Sequence, residues 1–129
     1  MYKLTSLALA AVLVSLAGCK HNVPIQNVDN QIMPDRARSM SYKEIGDTIS
    51  QAIQRRGFYC TRTGENKLLC TKDARGQQAK VEIIFTRHEF AIHHVSSTNL
   101  KEENGTVNPR YNKWISNLKK DIMAAIARK

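Results

Sequence analysis

Three cysteines, four histidines and a surplus of basic residues are the groups in this 129-residue chain that could do chemistry. Cys60 and Cys70 are separated by nine residues, a gap that is neither the C-x-x-C of redox proteins nor a zinc knuckle. His93 and His94 are adjacent in a strand-like run. Successive strand side chains point to opposite faces, so these two cannot chelate one metal together, and His94 reads as a histidine at the edge of the core. His88 falls in a turn and His21 in a polar stretch near the start, so no pair has the helical spacing of a metal site. The sequence holds no glycine-rich phosphate loop, and no serine, histidine and aspartate set around a strained nucleophile turn. No catalytic residue, metal ligand or cofactor is assigned. The 111 residues that follow the first 18 are one small domain at most, which excludes a two-domain enzyme.

Charge is the stronger signal. Lys and Arg number 20 against 11 Asp and Glu, a net charge of +9, so an anionic partner is physically natural. The positive residues are scattered through every segment, with doublets at Arg55/Arg56 and Lys119/Lys120.

The elements that must position these groups follow from periodicity and caps. Ser41 and Glu44 form a capping box that opens a helix, whose apolar stripe is Tyr42, Ile45, Ile49, Ala52 and Ile53. Arg55 and Arg56 complement its C-terminal dipole, and Gly57 supplies a left-handed stop. Phe58 to Arg62 and Lys67 to Thr71 are strand-like around a turn at Gly64, Glu65 and Asn66. A second turn, Asp73 to Gly76, leads to a half-buried strand in which Ala79, Val81, Ile83 and Phe85 alternate with Lys80, Glu82, Ile84 and Thr86. After a tight reversal at Arg87 to Glu89, Phe90 to Val95 continue as a fourth strand. Pairing Arg87 with Phe90 sets Phe85 across from Ile92 and Ile83 across from His94. A polar loop, Ser96 to Val107, precedes a last helix with Asn108 as N-cap and Pro109 at its first position. Its stripe is Tyr111, Trp114, Ile115, Leu118, Ile122 and Ile126. The expected fold is α+β: a four-stranded antiparallel meander between two helices, both on one face of the sheet, making two layers over residues 41–129. The opposite face then exposes Ile84, Ala91, His93 and Val95, which with Arg55 and Arg56 are the candidate partner-binding residues. A foreign partner, the preceding polar stretch or a second copy of the chain would cover that face.

The first residues carry an address. Leu4 to Leu16 is an apolar run of about 13 residues behind Lys3, short of the ~20 that a membrane-spanning helix needs. It reads as a signal peptide over residues 1–18. Leu16, Ala17, Gly18 and Cys19 resemble the lipobox of bacterial lipoproteins. That resemblance implies cleavage before Cys19 and acylation of its thiol, and several acyl chains hold a protein to a bilayer firmly. Lys20, where an inner-membrane lipoprotein of the enterobacterial kind has Asp, implies sorting to the outer membrane, periplasmic face. Removal of the leader takes Lys3 with it and leaves +8. Residues 19–40, polar and holding Pro24 and Pro34, read as a lipidated cysteine and a flexible tether reaching ~70 Å when extended. Part of it, around Ile25 or Ile32 and Met33, is a candidate edge strand.

With Cys19 lipidated in an oxidising compartment, Cys60 and Cys70 remain as a pair and are expected to form a disulfide. The same address reduces Asn104, Gly105 and Thr106, a match to a glycosylation sequon, to a loop. It also excludes nucleic acid, leaving anionic envelope polymers, headgroups or an envelope protein as partners. The expected function is a non-enzymatic interaction module at the outer membrane, of unassigned oligomeric state. A small ligand-binding or cell-wall-modifying enzyme domain is the alternative.

Overall fold

The computed structural model describes residues 21–129. The leader and the proposed lipidation site at Cys19 lie outside the described residues. The first helix, α1 (Tyr42–Gln54), starts where its cap dictates. Ser41 Oγ accepts from the Glu44 amide at 3.1 Å, and the Glu44 carboxylate accepts from the Ser41 amide at 2.9 Å. Ile45, Ile49 and Ile53 on its inward face are wholly buried, each stabilising the fold by about 1.5–3 kcal/mol. The chain leaves α1 through Gly57 at φ 88°, a left-handed backbone that glycine adopts without a Cβ penalty.

Strands β3 (Phe58–Gly64), β4 (Lys67–Ala74), β5 (Gln77–Phe85) and β6 (Glu89–Thr98) follow as an antiparallel meander. Cys60 and Cys70 sit directly opposite one another and are bonded, with Cα atoms 4.0 Å apart. Their hairpin closes more tightly than expected. Gly64 pairs with Lys67, leaving only Glu65 and Asn66 in the turn, and the register shift at Thr63 takes up the extra residue. The next turn is Arg75 and Gly76, at φ 51° and 83°, the mirror-image geometry that suits the twist of a hairpin.

The β5–β6 register differs by two residues from expectation. Phe85 pairs with Phe90, and Ile83 with Ile92, while His94 lies across from Val81. The reversal sits one residue earlier than expected, at Thr86–Glu89: the Thr86 amide donates to the Glu89 carbonyl at 2.9 Å, and the Thr86 hydroxyl accepts from the amides of His88 and Glu89. A slip of two preserves which side chains face inward. Ala79, Val81, Ile83, Phe85, Phe90 and Ile92 are accordingly buried.

Four strands become five, and the tether expectation is corrected. Strands β1 (Val23–Pro24) and β2 (Val28–Ile32) and a 3₁₀ turn (Asp35–Ser39) occupy most of residues 23–40. Strand β2 joins the sheet beside β6, giving the order β2-β6-β5-β4-β3, and β1 forms a separate two-stranded ribbon with β7 (Thr106–Val107). Val28, Met33, Ala37 and Met40 are buried in the main core, and the Met33 amide donates to the His88 carbonyl at 2.8 Å. A segment that buries four apolar side chains and pairs its amides is part of the body. The loop expected over Ser96–Val107 also carries more structure than foreseen, since β6 runs to Thr98 and Leu100 is buried.

The last helix, α2 (Pro109–Arg128), begins with the Asn108 side chain accepting from the Arg110 amide at 2.8 Å. It buries Tyr111, Ile115, Leu118, Ile122 and Ile126. The inward stripes of both helices and the inward residues of the sheet form one core.

Candidate functional site

Where the end of α1, the start of β3, the β4–β5 turn and the first turns of α2 meet, they enclose a cleft of about 520 Å³. The cations come from the end of α1, from β4 and its turn, and from α2, while β3 contributes Phe58. Arg55 and Arg56 lie just past the last turn of α1, at the negative end of the helix dipole. Lys72 stands on β4, and Arg75 occupies the left-handed first position of the Arg75–Gly76 turn at its lip. Arg110, Lys113, Trp114 and Asn117 project from α2 at i, i+3, i+4 and i+7, so they share one helix face. A second hollow of about 340 Å³ shares Arg55 and Arg56 and extends past Asp121 to Arg128.

Lys72 is the innermost of these charges. Its Nζ lies 4.9 Å from the centroid of the Trp114 ring and 5.8 Å from that of Phe58, and it donates to the Arg56 carbonyl. Partial burial, and then the Arg56 charge, hold its pKa below the ordinary lysine value. The aromatic faces favour the ammonium, but no carboxylate lies within ion-pair distance of it among the described residues. Arg56 is different: its Nε donates to Asp121 Oδ2 at 2.7 Å, and this pairing raises its pKa. Arg110 donates to Gln77 Oε1 at 3.1 Å, a neutral partner. Six cations therefore line the cleft, no acid is among the described residues that line it, and nearby Asp121 is engaged by Arg56. The arrangement can attract and hold an anion.

The residues singled out in the sequence fall in two places. Arg55 and Arg56 line the cleft. Ile84, Ala91 and His93 are half-buried on the other sheet face, and Val95 is 51% exposed beside the register shift in β6. His93 Nε2 lies 2.7 Å from Asp29 Oδ1, so the added strand β2 supplies its partner. Tyr59, 66% exposed, is a further large apolar side chain that sequence reasoning passed over. Lys72, Arg75, Arg110, Lys113 and Trp114 were also missed. The helical spacing of Arg110, Lys113, Trp114 and Asn117 was the available signal, beside an apolar stripe that drew the attention.

His94 is part of a polar knot outside the cleft. Ser97 Oγ donates to Glu102 Oε1 at 2.8 Å and lies 3.2 Å from His94 Nε2. The same His94 Nε2 lies 3.5 Å from Glu102 Oε1, so serine and carboxylate meet on one ring nitrogen. Nucleophile activation needs the acid on the other nitrogen, and these contacts instead tie the Asn99–Glu102 loop to β6. Among the described residues, no three His, Cys, Asp or Glu side chains group as a metal site, and no helix is long and apolar enough to cross a membrane. No protein-family model, curated protein or solved structure matches the chain.

Proposed function

We propose that this protein is a non-enzymatic binding module of the bacterial envelope that holds an anionic partner in the cleft between α1, β4 and α2. The single observation that carries the reading is the convergence of six cations from separate stretches of chain on one mouth, with no acid among the lining residues described and with nearby Asp121 already bound to Arg56. Like charges gathered on one cleft repel one another, a cost that a bound anion would offset. The lipobox resemblance at Leu16–Cys19 supports an acyl anchor on Cys19 and an outer-membrane address, and the bonded Cys60–Cys70 pair fits an oxidising compartment.

In this reading both helices cover one face of the sheet. The other face, with Ile84, Ala91, His93 and Tyr59, serves as a secondary contact for an envelope protein. The test is binding of the full chain, in a neutral detergent, to anionic and zwitterionic vesicles and to an acidic polymer as salt is raised. Retention on the anionic probes alone, weakening steeply between low and physiological salt, is the expected result. Retention indifferent to salt, or turnover of a cell-wall substrate, would favour a ligand-carrying or enzymatic domain.

A further inference from the structure

We propose that the cleft is a phosphomonoester site, with the phosphate set against Lys72 between Arg55, Arg75 and Arg110, and the esterified group lying beside the Trp114 indole. This deepens the reading of the cleft as an anion site and rests on it. Five of the six lining cations have no acidic partner among the described residues, so a ligand that brings one charge leaves most of them unmatched. A carboxylate or a phosphodiester brings one. A phosphomonoester brings about two near neutral pH, with three strong acceptor oxygens, and its geometry suits converging guanidinium forks.

The depth of the site points the same way. Lys72 is partly desolvated, and it is fixed over two aromatic rings by its bond to the Arg56 carbonyl. It is thus a point charge already in position, which spares the ordering cost that flexible surface lysines carry on binding. Arg75 and Arg110 are exposed at the lip and can swing onto an arriving anion. Phe58 and Trp114 give the inner wall an apolar surface, which a bare inorganic ion would leave unused.

Trp114 is the only tryptophan in the chain, so its fluorescence reports the cleft directly. The full chain in neutral detergent is titrated with glycerol 3-phosphate, with mixed micelles carrying phosphatidic acid or phosphatidylcholine, and with polyglutamate. A saturable change with glycerol 3-phosphate or phosphatidic acid, and none with phosphatidylcholine, is expected. Saturation by both monoesters at similar concentration identifies a soluble phosphate compound as sufficient. Saturation by phosphatidic acid alone assigns the ligand to a lipid headgroup. R75N, which suits the left-handed backbone at that turn, and R110Q each weaken the binding at least about fivefold. Loss of binding in K72M agrees with the inference, and if that variant fails to fold the two arginine variants decide. Saturation by polyglutamate with no response to either monoester overturns the phosphate assignment but leaves the anion site standing. Silence towards every anion overturns both.

Discussion

Replacing Cys60 and Cys70 together by alanine removes a cross-link that spans ten positions of sequence. A closed loop of that length restricts the unfolded chain by about 9 cal/mol/K in the chain-entropy treatment, which is about 2.7 kcal/mol at 298 K. The folded state has little to lose beside this, because the cysteines sit on neighbouring strands joined by a two-residue turn and the hairpin keeps its backbone pairing. Cys70 is wholly buried, so its truncation adds only a small packing loss. For a domain of this size each kcal/mol moves Tm by about 4–8 °C, so the double variant is expected to melt about 11–22 °C lower. Thermal unfolding followed by circular dichroism, with and without reductant, measures it. Reductant should bring the parent protein down to the variant and leave the variant where it is. A drop of less than about 4 °C, or a parent protein insensitive to reductant after unfolding and refolding, would refute the argument that the bridge acts on the unfolded chain.

Three further outcomes are expected. Met33→Ala should cost about 2–5 kcal/mol in urea unfolding, because Met33 is 2% exposed in the core; a free tether residue would lose less than about 0.5. The Tyr111 hydroxyl is buried with no hydrogen-bond partner among the described residues, and burial raises its pKa, so Tyr111→Phe should leave stability unchanged or raise it by up to about 1 kcal/mol; a clear loss would reveal a partner for the hydroxyl. The bonds from Ser41 hold the Glu44 carboxyl below its ordinary value of 4.5, so its contribution is complete above that pH and disappears as pH falls through the folded-state value. Glu44→Gln should therefore flatten the stability profile just below pH 4.5, leaving the lower-pH loss from Asp47, which Lys43 holds down in the same way; an unaltered acid limb would contradict this.

Local signals in the sequence carried the elements well. The Ser41–Glu44 box, the Asn108–Pro109 start and the alternation from Ala79 to Phe85 are each written within a few residues, and each stands where the pattern put it. What escaped has non-local causes. Strand β2 shows no alternation because only Val28 of its five residues is buried and Asn30 breaks the register at φ 48°. The β5–β6 offset goes with a reversal one residue earlier, in which the Thr86 hydroxyl accepts from two amides, a preference that pattern counting cannot weigh. The cleft was hidden for a similar reason. Its cations stand as far apart in the chain as Arg55 and Lys113, and only the packing of α2 beside the end of α1 brings them to one mouth. Arg55 and Arg56 were noticed because they are adjacent, the one relation a linear reading detects directly.

The ribbon made by β1 and β7 would set the length of any leash that runs from a lipidated Cys19. Val23 is already paired with Val107, and the Asn112 side chain donates to the Pro24 carbonyl at 2.9 Å and accepts from the Gln26 amide at 3.0 Å. An acyl group on Cys19 would then have only residues 20–22 between it and the folded body, a span of at most about 14 Å. Such a protein would ride flush against the headgroups, unable to sweep the space above them. Asn112 grips β1 from nearly the opposite side of α2 to Arg110 and Lys113, which line the cleft, so the mouth would open away from the mooring point.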